Sequence, residues 1–503
     1  MKAIKYLSVA LLLAAGLASC GGDYLDTEDR TALEPEAVAE AAGRTPEVFL
    51  NGMWSWLVEY NTTRSTSSVH DDFSFMSVLL SKDMMTEDIA IDGFHWFGYD
   101  YDFDNRMQNY RRVNVDWTTF YTAISKANEV IELYPDGGNT VAEKGLYGQA
   151  LAMRGMSYYY LIQIYQSYLK SDGTINRDAP GVPLMYTSAD GMNADERAAK
   201  KGRNTVGEVL DQAEKDLTGA VEALSAGYTR PTDANGKDYI DVRVAQGLLA
   251  RYYLLTQQWE KAAENANAAR KGFQQRDAAG LMDGFMDVTN PDVMWGFNHT
   301  SETQTTYASY FSHISALAPG YAGLNYSTKL IDARLYSQIP DNDFRKALFN
   351  GPEGNPNQKQ AGAQLPYAPL KFGDDGNWTM DYIYMRAAEM VLIEAEAYVR
   401  MGNGAKAATV MKELMENRQP GWNEPSVNLD YVLLQRRIEL WGEGFGYFDL
   451  KRNYRGIDRN YEGTNHYAPY LHAIPAGDVK WTYQIPLSEI QENDLISEDD
   501  QNP

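Results

Sequence analysis

Apolar residues recur along most of the chain at the spacing of an α-helix. Leu151, Tyr158, Ile162 and Tyr165 fall three, four or seven residues apart, which predicts one apolar helix face over 146–165. Upstream, Trp117, Tyr121, Ile124 and Asn128 repeat that spacing and stop at the breaker Pro135-Asp136-Gly137-Gly138, so the two segments read as a helical hairpin. A second pair is predicted from Val242, Ala245, Leu249 and Tyr252, a break at Gln257-Gln258, and an alanine-rich helix from Trp259 towards Lys271. A third runs over 383–401, breaks at Gly402-Asn403-Gly404 and resumes over 406–417. Ala262, Ala263, Ala266 and Ala269 are small enough to let helices approach closely. The pairing resembles tetratricopeptide units, although no strict 34-residue period can be read.

Between the pairs, 61–110, 170–204, 296–326 and 350–381 lack periodicity and are rich in Gly, Asn, Asp, Ser, Thr and Tyr. Loops of that length in a folded protein carry function or move. The stretch from Gly351 to Trp378, with four prolines, is the candidate internal boundary. At the N-terminus, Lys2 and Lys5 precede an apolar run from Tyr6 to Ala18, the layout of a secretory signal and too short to span a bilayer. The run ends Leu17-Ala18-Ser19-Cys20, which resembles the bacterial lipoprotein box. Residues 1–19 are therefore expected to be a signal peptide, with Cys20 the lipid attachment site and start of the mature chain.

Composition sharpens this outline. The 503 residues are 44% hydrophobic and 23% charged, which excludes wholesale disorder. A net charge of -24 repels phosphate backbones, so no nucleic-acid partner is expected. Cys20 is the single cysteine, which excludes intrachain disulfides and Cys-ligated zinc. The six histidines show no metal-binding spacing, and Gly442-Glu443-Gly444-Phe445-Gly446 lacks the Lys-Ser/Thr of a phosphate loop, so its glycines read as a sharp turn after a helix. Asp100, Asp102 and Asp104 alternate as calcium ligands do, yet Asn105 and Arg111 stand where an EF-hand needs Gly and Glu; only a looser calcium site stays open, and no cofactor is expected. Glu439 and Glu443 lie four apart on an apparent helix, but Arg436 three residues before Glu439, and Arg386 three before Glu389, favour structural ion pairs over a catalytic carboxylate pair. No motif supports catalysis, and the expectation is a protein without enzymatic activity.

Several segments together resemble the SusD/RagB family of Bacteroidetes outer-membrane lipoproteins. They are Arg436-Arg437-Ile438-Glu439-Leu440-Trp441-Gly442-Glu443-Gly444-Phe445-Gly446-Tyr447-Phe448-Asp449-Leu450-Lys451-Arg452, the run from Tyr384 to Ala397, the chain end from Gln484 to Pro503, Ala150 to Tyr165 followed by Gly181-Val182-Pro183-Leu184, and Asp23-Tyr24-Leu25-Asp26. The segment from Gln166 to Pro180 is longer than the family's usual passage to that Gly-x-Pro turn. The resemblance implies a mostly α, SusD-like fold in which tetratricopeptide-like helix pairs pack against a loop-rich ligand-binding region. It implies a single unit over 20–503, with an N-terminal region to 230, a loop-rich middle over 231–380 and a C-terminal region over 381–503. It also implies a cell-surface lipoprotein of the outer membrane that captures oligosaccharides and delivers them to a SusC-like TonB-dependent transporter. A peptide-binding RagB-like member is the alternative, then a surface glycoside hydrolase or a purely structural interaction protein. In the family's pattern Arg386, Glu389, Glu439 and Arg452 are fold determinants.

Sugars are held by aromatic faces stacking on C–H surfaces, with polar side chains reading hydroxyls. The densest aromatic loop is 92–101, which makes Trp96 and Tyr99, with His95, the first ligand candidates. Asn298, His299, Tyr307 and Tyr310 form a second group and Trp378 a third, whereas Trp54, Trp117, Trp259, Trp295, Trp441 and Trp481 read as packing residues.

Overall fold

The computed structural model describes residues 46–503, of which residues 47–503 form one compact unit; Cys20 and the signal-like run lie outside the described residues. Helices dominate. In chain order they include α1 (Pro46–Trp56), α2 (Phe75–Asp83), α3 (Arg111–Leu133), α4 (Val141–Tyr165), α5 (Val206–Leu224), α6 (Val242–Leu255), α7 (Trp259–Ala269), α8 (Ala387–Arg400), α9 (Gly404–Met415), α10 (Leu429–Glu439) and α11 (Gly446–Arg452). Strands are short antiparallel pairs: β1 (Ile89–Ile91) with β3 (Lys329–Ile331), and β2 (Val293–Phe297) with β4 (Tyr382–Arg386). A further pair joins β5 (Ile457–Asp458) to β6 (Ala473–Ile474).

The helices from α3 to α9 pack each on the next, so the predicted pairs merge into one continuous layer. Local chemistry fixes their ends. Thr140 and Glu143 cap α4 reciprocally, Thr205 and Glu208 do the same for α5, and Asn403 caps α9. The α4–α5 contact is close because a Cβ at Gly155 would lie 2.8 Å from Leu217 Cγ. Arg154 of α4 closes the same contact, donating to both carboxylate oxygens of Asp216 at 2.8 and 2.7 Å and to Asp190 at 3.0 and 2.8 Å.

Several expectations need correction. Residues 383–386 are the strand β4, not the start of a helix, because they pair with β2. The 61–110 stretch contains α2, all nine residues of which are buried, the polar Ser77, Ser81, Lys82 and Asp83 included, so no solvent-facing side marks it. It also contains β1. α5 was not anticipated. Helix α4 is buried almost all round from Gly145 onward, because α3 and α5 cover it on two sides. The stretch from Gly351 to Trp378 does not divide two bodies: Phe372 is fully buried, and the Lys371 ammonium donates to the carbonyls of Glu439 and Trp441.

The carboxylates of the C-terminal signature are structural, as expected, but through other partners. α10 ends at Glu439, so Glu443 lies in the following turn. Glu439 accepts from Arg418 (2.8 Å twice), Arg386 (3.1 Å) and Arg345 (3.3 Å), all buried. Glu443 accepts from Arg386 (2.8 and 2.9 Å) and Lys371 (2.5 Å). Glu389 pairs with Arg251, Arg436 with Asp449, and Arg452 with Glu396 and Asp449. The end of the chain is stitched in by Asn502, whose side-chain amide donates to the carbonyls of Tyr165 (2.7 Å) and Tyr483 (2.8 Å).

The glycines of the signature make the turn that the sequence implied. Gly442 and Gly444 have φ of +77° and +88°, and the N–H groups of Gly444 and Gly446 donate to the buried Asp83 carboxylate of α2. Burial raises the Asp83 pKa to about 7 even though those two N–H groups pull it down. A Cβ at Gly444 would lie 2.5 Å from Leu79 Cβ. Gly444→Ala therefore adds a clash to an unfavourable φ and is expected to cost about 2 kcal/mol or more. Gly376 shares the positive φ (+73°) but has open space, so Gly376→Ala should cost only about 1 kcal/mol. Guanidinium midpoints of the two variants check the difference.

Candidate functional site

The β1–β3 ladder positions the main candidate. Its register ends with Ile91 opposite Lys329, so the loop leaving β1 and the loop entering β3 emerge side by side. The Asp92 carboxylate takes the Thr328 N–H at 2.6 Å and holds them together. One loop carries His95 and Trp96; the other carries Tyr321 and Tyr326.

A third segment joins through His313, which lies in a buried turn (Tyr310–Ile314). Its imidazole stacks on Tyr321 at 4.7 Å and 10°, and its Nε2 donates to the His70 carbonyl at 2.8 Å. Burial, with the nearby Lys329 ammonium, holds the His313 pKa well below the ordinary value, so the ring stays neutral and serves as a fixed post. His70 is thereby set against Trp96 (5.1 Å between ring centres), Tyr307 (5.0 Å, edge-on) and Tyr321 (5.9 Å). Its Nδ1 shares a hydrogen bond with the Tyr321 hydroxyl. His95 lies 5.1 Å from Tyr321 and 6.0 Å from Tyr326.

Six rings from four separate segments thus converge: His70, His95, Trp96, Tyr307, Tyr321 and Tyr326. Tyr307 is 54% exposed and Tyr326 56%, His95 is exposed, and Trp96, His70 and Tyr321 are half-buried. Tyr60, also exposed, lies within electrostatic reach of Tyr307. The loop is anchored from below by Phe97, buried in a left-handed conformation (φ +66°) between Phe73, His313 and the Arg112 guanidinium. That strained residue lets Trp96 stand at the surface directly beside a core anchor. The rings supply faces for C–H stacking, and the hydroxyls and imidazoles supply hydrogen bonds; the six contribute no carboxylate.

The other candidates lie elsewhere. Tyr99 is 58% exposed, but its ring packs edge-on against Phe94 at 5.2 Å and stands apart from the six. Tyr310 is a correction: it is 2% exposed, its hydroxyl donates to the Gly442 carbonyl at 2.6 Å, and its ring packs on Phe372 and Tyr382 in the core. Asn298 follows β2, half-buried, its backbone N–H donating to Asp238 at 2.8 Å. Its neighbour His299 is buried against Phe297 and Tyr382, and that burial lowers its pKa to about 4. Trp378 is half-buried at φ +60°; its carbonyl accepts both the N–H and the hydroxyl of Thr305, tying its loop to the one that carries Tyr307. Asp100 pairs with Arg112, Asp102 with His472, and Asp104 is exposed, so the three alternating carboxylates point to different partners. Among the described residues no cluster of three or more His, Cys, Asp or Glu is disposed to hold a metal. Nor is any helix there long and apolar enough to cross a membrane.

Sequence reading missed His70, Tyr321 and Tyr326. Tyr321 and Tyr326 sit in a Gly- and Asn-rich loop that offered a signal, whereas nothing local to His70 marks it.

Residues 23–254 match a family model described as starch-binding and associating with the outer membrane, and residues 347–503 match the model of the SusD family. The chain belongs to the SusD/RagB family. Among curated relatives it is 23% identical over 385 residues to SusD-like protein P2 of Formosa agariphila, covering 68% of this chain and 71% of that one. Its fold is that of a SusD-like carbohydrate binding protein from Bacteroides vulgatus, with a TM-score of 0.74, 24% identity, and 91% and 98% of the two chains covered. Surface glycan-binding protein A from Bacteroides uniformis shares the fold at a TM-score of 0.66 and 16% identity, over 92% of this chain and 99% of that one. In this SusD/RagB chain the signature residues Arg386, Glu439, Glu443 and Arg452 hold the C-terminal helices together, and the six-ring surface belongs to loops outside that network.

Proposed function

We propose that this SusD/RagB member is a surface glycan-binding lipoprotein, non-enzymatic, that captures oligosaccharide on the His70, His95, Trp96, Tyr307, Tyr321 and Tyr326 surface and passes it to a SusC-like TonB-dependent transporter. The observation that carries this reading is the convergence of six exposed or half-buried rings from four segments on fixed posts, in a family whose model is described as starch-binding. Residues 1–19 serve as signal peptide, Cys20 as the lipid anchor, and the continuous helical layer as the face available to the transporter.

Each ring stacking on a sugar contributes about 1 kcal/mol, so Trp96→Ala should weaken oligosaccharide binding about fivefold. Isothermal titration against a panel of maltooligosaccharides, xylans, β-glucans and mannans checks this. Melting should fall only modestly, because Trp96 is half-buried and rests on the core with part of its ring. Equal affinity for the bound glycan in parent and variant would remove Trp96 from the site, and absence of binding to any of them would count against the reading as a whole.

A further inference from the structure

Tyr99 belongs to a second aromatic surface. Its ring lies 5.2 Å from Phe94, Phe94 lies 5.0 Å from Tyr470 at a tilt of 32°, and Tyr470 lies 5.9 Å from Tyr467 and 6.2 Å from His472. Tyr99 is 58% exposed, and Tyr467, Tyr470 and His472 are half-buried. Tyr467 and Tyr470 rest with part of their rings on the main core, in which Tyr101, Phe103 and Trp481 are buried.

The surface is held rigidly. His472 Nε2 and the Asp102 carboxylate meet at 2.6 Å, joining the two segments that carry it. Below, Tyr101 shares a 2.6 Å hydrogen bond with His466 Nδ1, and the buried Arg459 guanidinium stacks on the Tyr101 ring at 3.8 Å. Recognition surfaces that order loose side chains lose affinity to entropy, so rings fixed in advance on buried supports suit weak, repeated contacts.

The two surfaces adjoin through one peptide. Phe94 belongs to the second and His95 to the first, and consecutive Cα atoms are about 3.8 Å apart. Gly98 keeps the junction tight: a Cβ there would lie 2.9 Å from the Phe94 ring.

We infer that the Phe94, Tyr99, Tyr467 and Tyr470 surface is a second subsite for the same glycan chain, so that the protein selects polymers or long oligosaccharides over short ones. This rests on the reading of the six-ring surface as the first subsite. The occupant follows from continuity: a chain lying on His95 and Trp96 and growing past Phe94 meets further rings, beside which the Asp102 carboxylate, bonded to His472, can accept from its hydroxyls.

The test compares chain lengths with the full protein. Short and long maltooligosaccharides and amylopectin are titrated in parallel with the matching xylan, β-glucan and mannan series. Tyr99→Ala/Tyr470→Ala should weaken polymer and long-chain binding about tenfold and leave short-chain binding unchanged, while Trp96→Ala weakens both. Tyr99→Ala alone, at an exposed position, guards against misfolding of the double variant and should give part of the loss; Tyr99→Phe, which keeps the ring, should retain most of the affinity. Parent-like polymer binding by Tyr99→Ala and by the double variant overturns the second subsite. Unchanged short-chain binding by Trp96→Ala overturns the first, and no binding in any series overturns both.

Discussion

Glu439→Gln is expected to be among the most destabilising single substitutions in the protein, costing about 3–5 kcal/mol. Three buried guanidiniums, from Arg418, Arg386 and Arg345, converge on this one carboxylate. Burial alone would raise its pKa, but those cations reverse the effect and hold it well below the ordinary carboxylate range. The net worth of such a network against an apolar core is small, whereas removal of its shared anion takes the carboxylate partner from the buried Arg418 and one of the partners from Arg386 and from Arg345. Scanning calorimetry or guanidinium unfolding measures the loss, and a midpoint within error of the parent would show that Asp343 beside Arg345, with Glu443 and Asp292 beside Arg386, carry the network unaided. The pH dependence has a definite sign. A carboxylate whose folded pKa is depressed contributes stability that is complete above its unfolded pKa of about 4.3 and is lost as pH falls through the folded value. The parent should therefore lose stability on acidification below about pH 4, and Glu439→Gln should lose less over the same interval.

Arg459→Met should cost about 3 kcal/mol or more, through a different mechanism. The guanidinium donates to the carbonyls of Met84 (2.9 Å), Thr86 (2.7 and 3.1 Å) and Tyr101 (2.6 Å). Burial lowers its pKa to about 10, which still leaves it charged at neutral pH. Methionine would fill much of the space and strand those main-chain acceptors, each unsatisfied carbonyl costing about 1–3 kcal/mol. Because the same side chain supports Tyr101 under the second aromatic surface, the variant should also weaken polymer binding more than short-chain binding. Thermal unfolding with titration of both chain lengths checks the pair of effects. Loss of stability with no change in chain-length preference would separate Arg459 from the surface above it.

The helices with one apolar face were legible because period 3.6 is a local property, and the breaks at Gln257-Gln258 and Gly402-Asn403-Gly404 fall where the helices end. Helix α2 and strand β4 were not, because short segments buried on all sides carry no alternation that separates helix from strand. The ion pairs were misassigned for a related reason. Arg386 and Arg436 have carboxylates three residues away, yet each finds its partner on another element, and only the tertiary fold decides between them. Trp96 could be singled out because it sits in a loop dense in rings, and Tyr307 because it lies in a polar loop after Trp295. His70 could not, since it reaches the cluster through a contact with His313, 243 residues downstream. Tyr310 was misplaced because its hydroxyl partner, the Gly442 carbonyl, lies 132 residues away.

The stitch made by Asn502 bears on the order in which the molecule can assemble. The carbonyl of Tyr165, the last residue of α4, receives its hydrogen bond from a side chain 337 residues later. Contacts of such sequence separation close slowly, because a long stretch of chain must give up its freedom before they are rewarded. Helices α3 and α4 can therefore pair early as a nascent chain emerges, but the end of α4 is finished only once Asn502 is available.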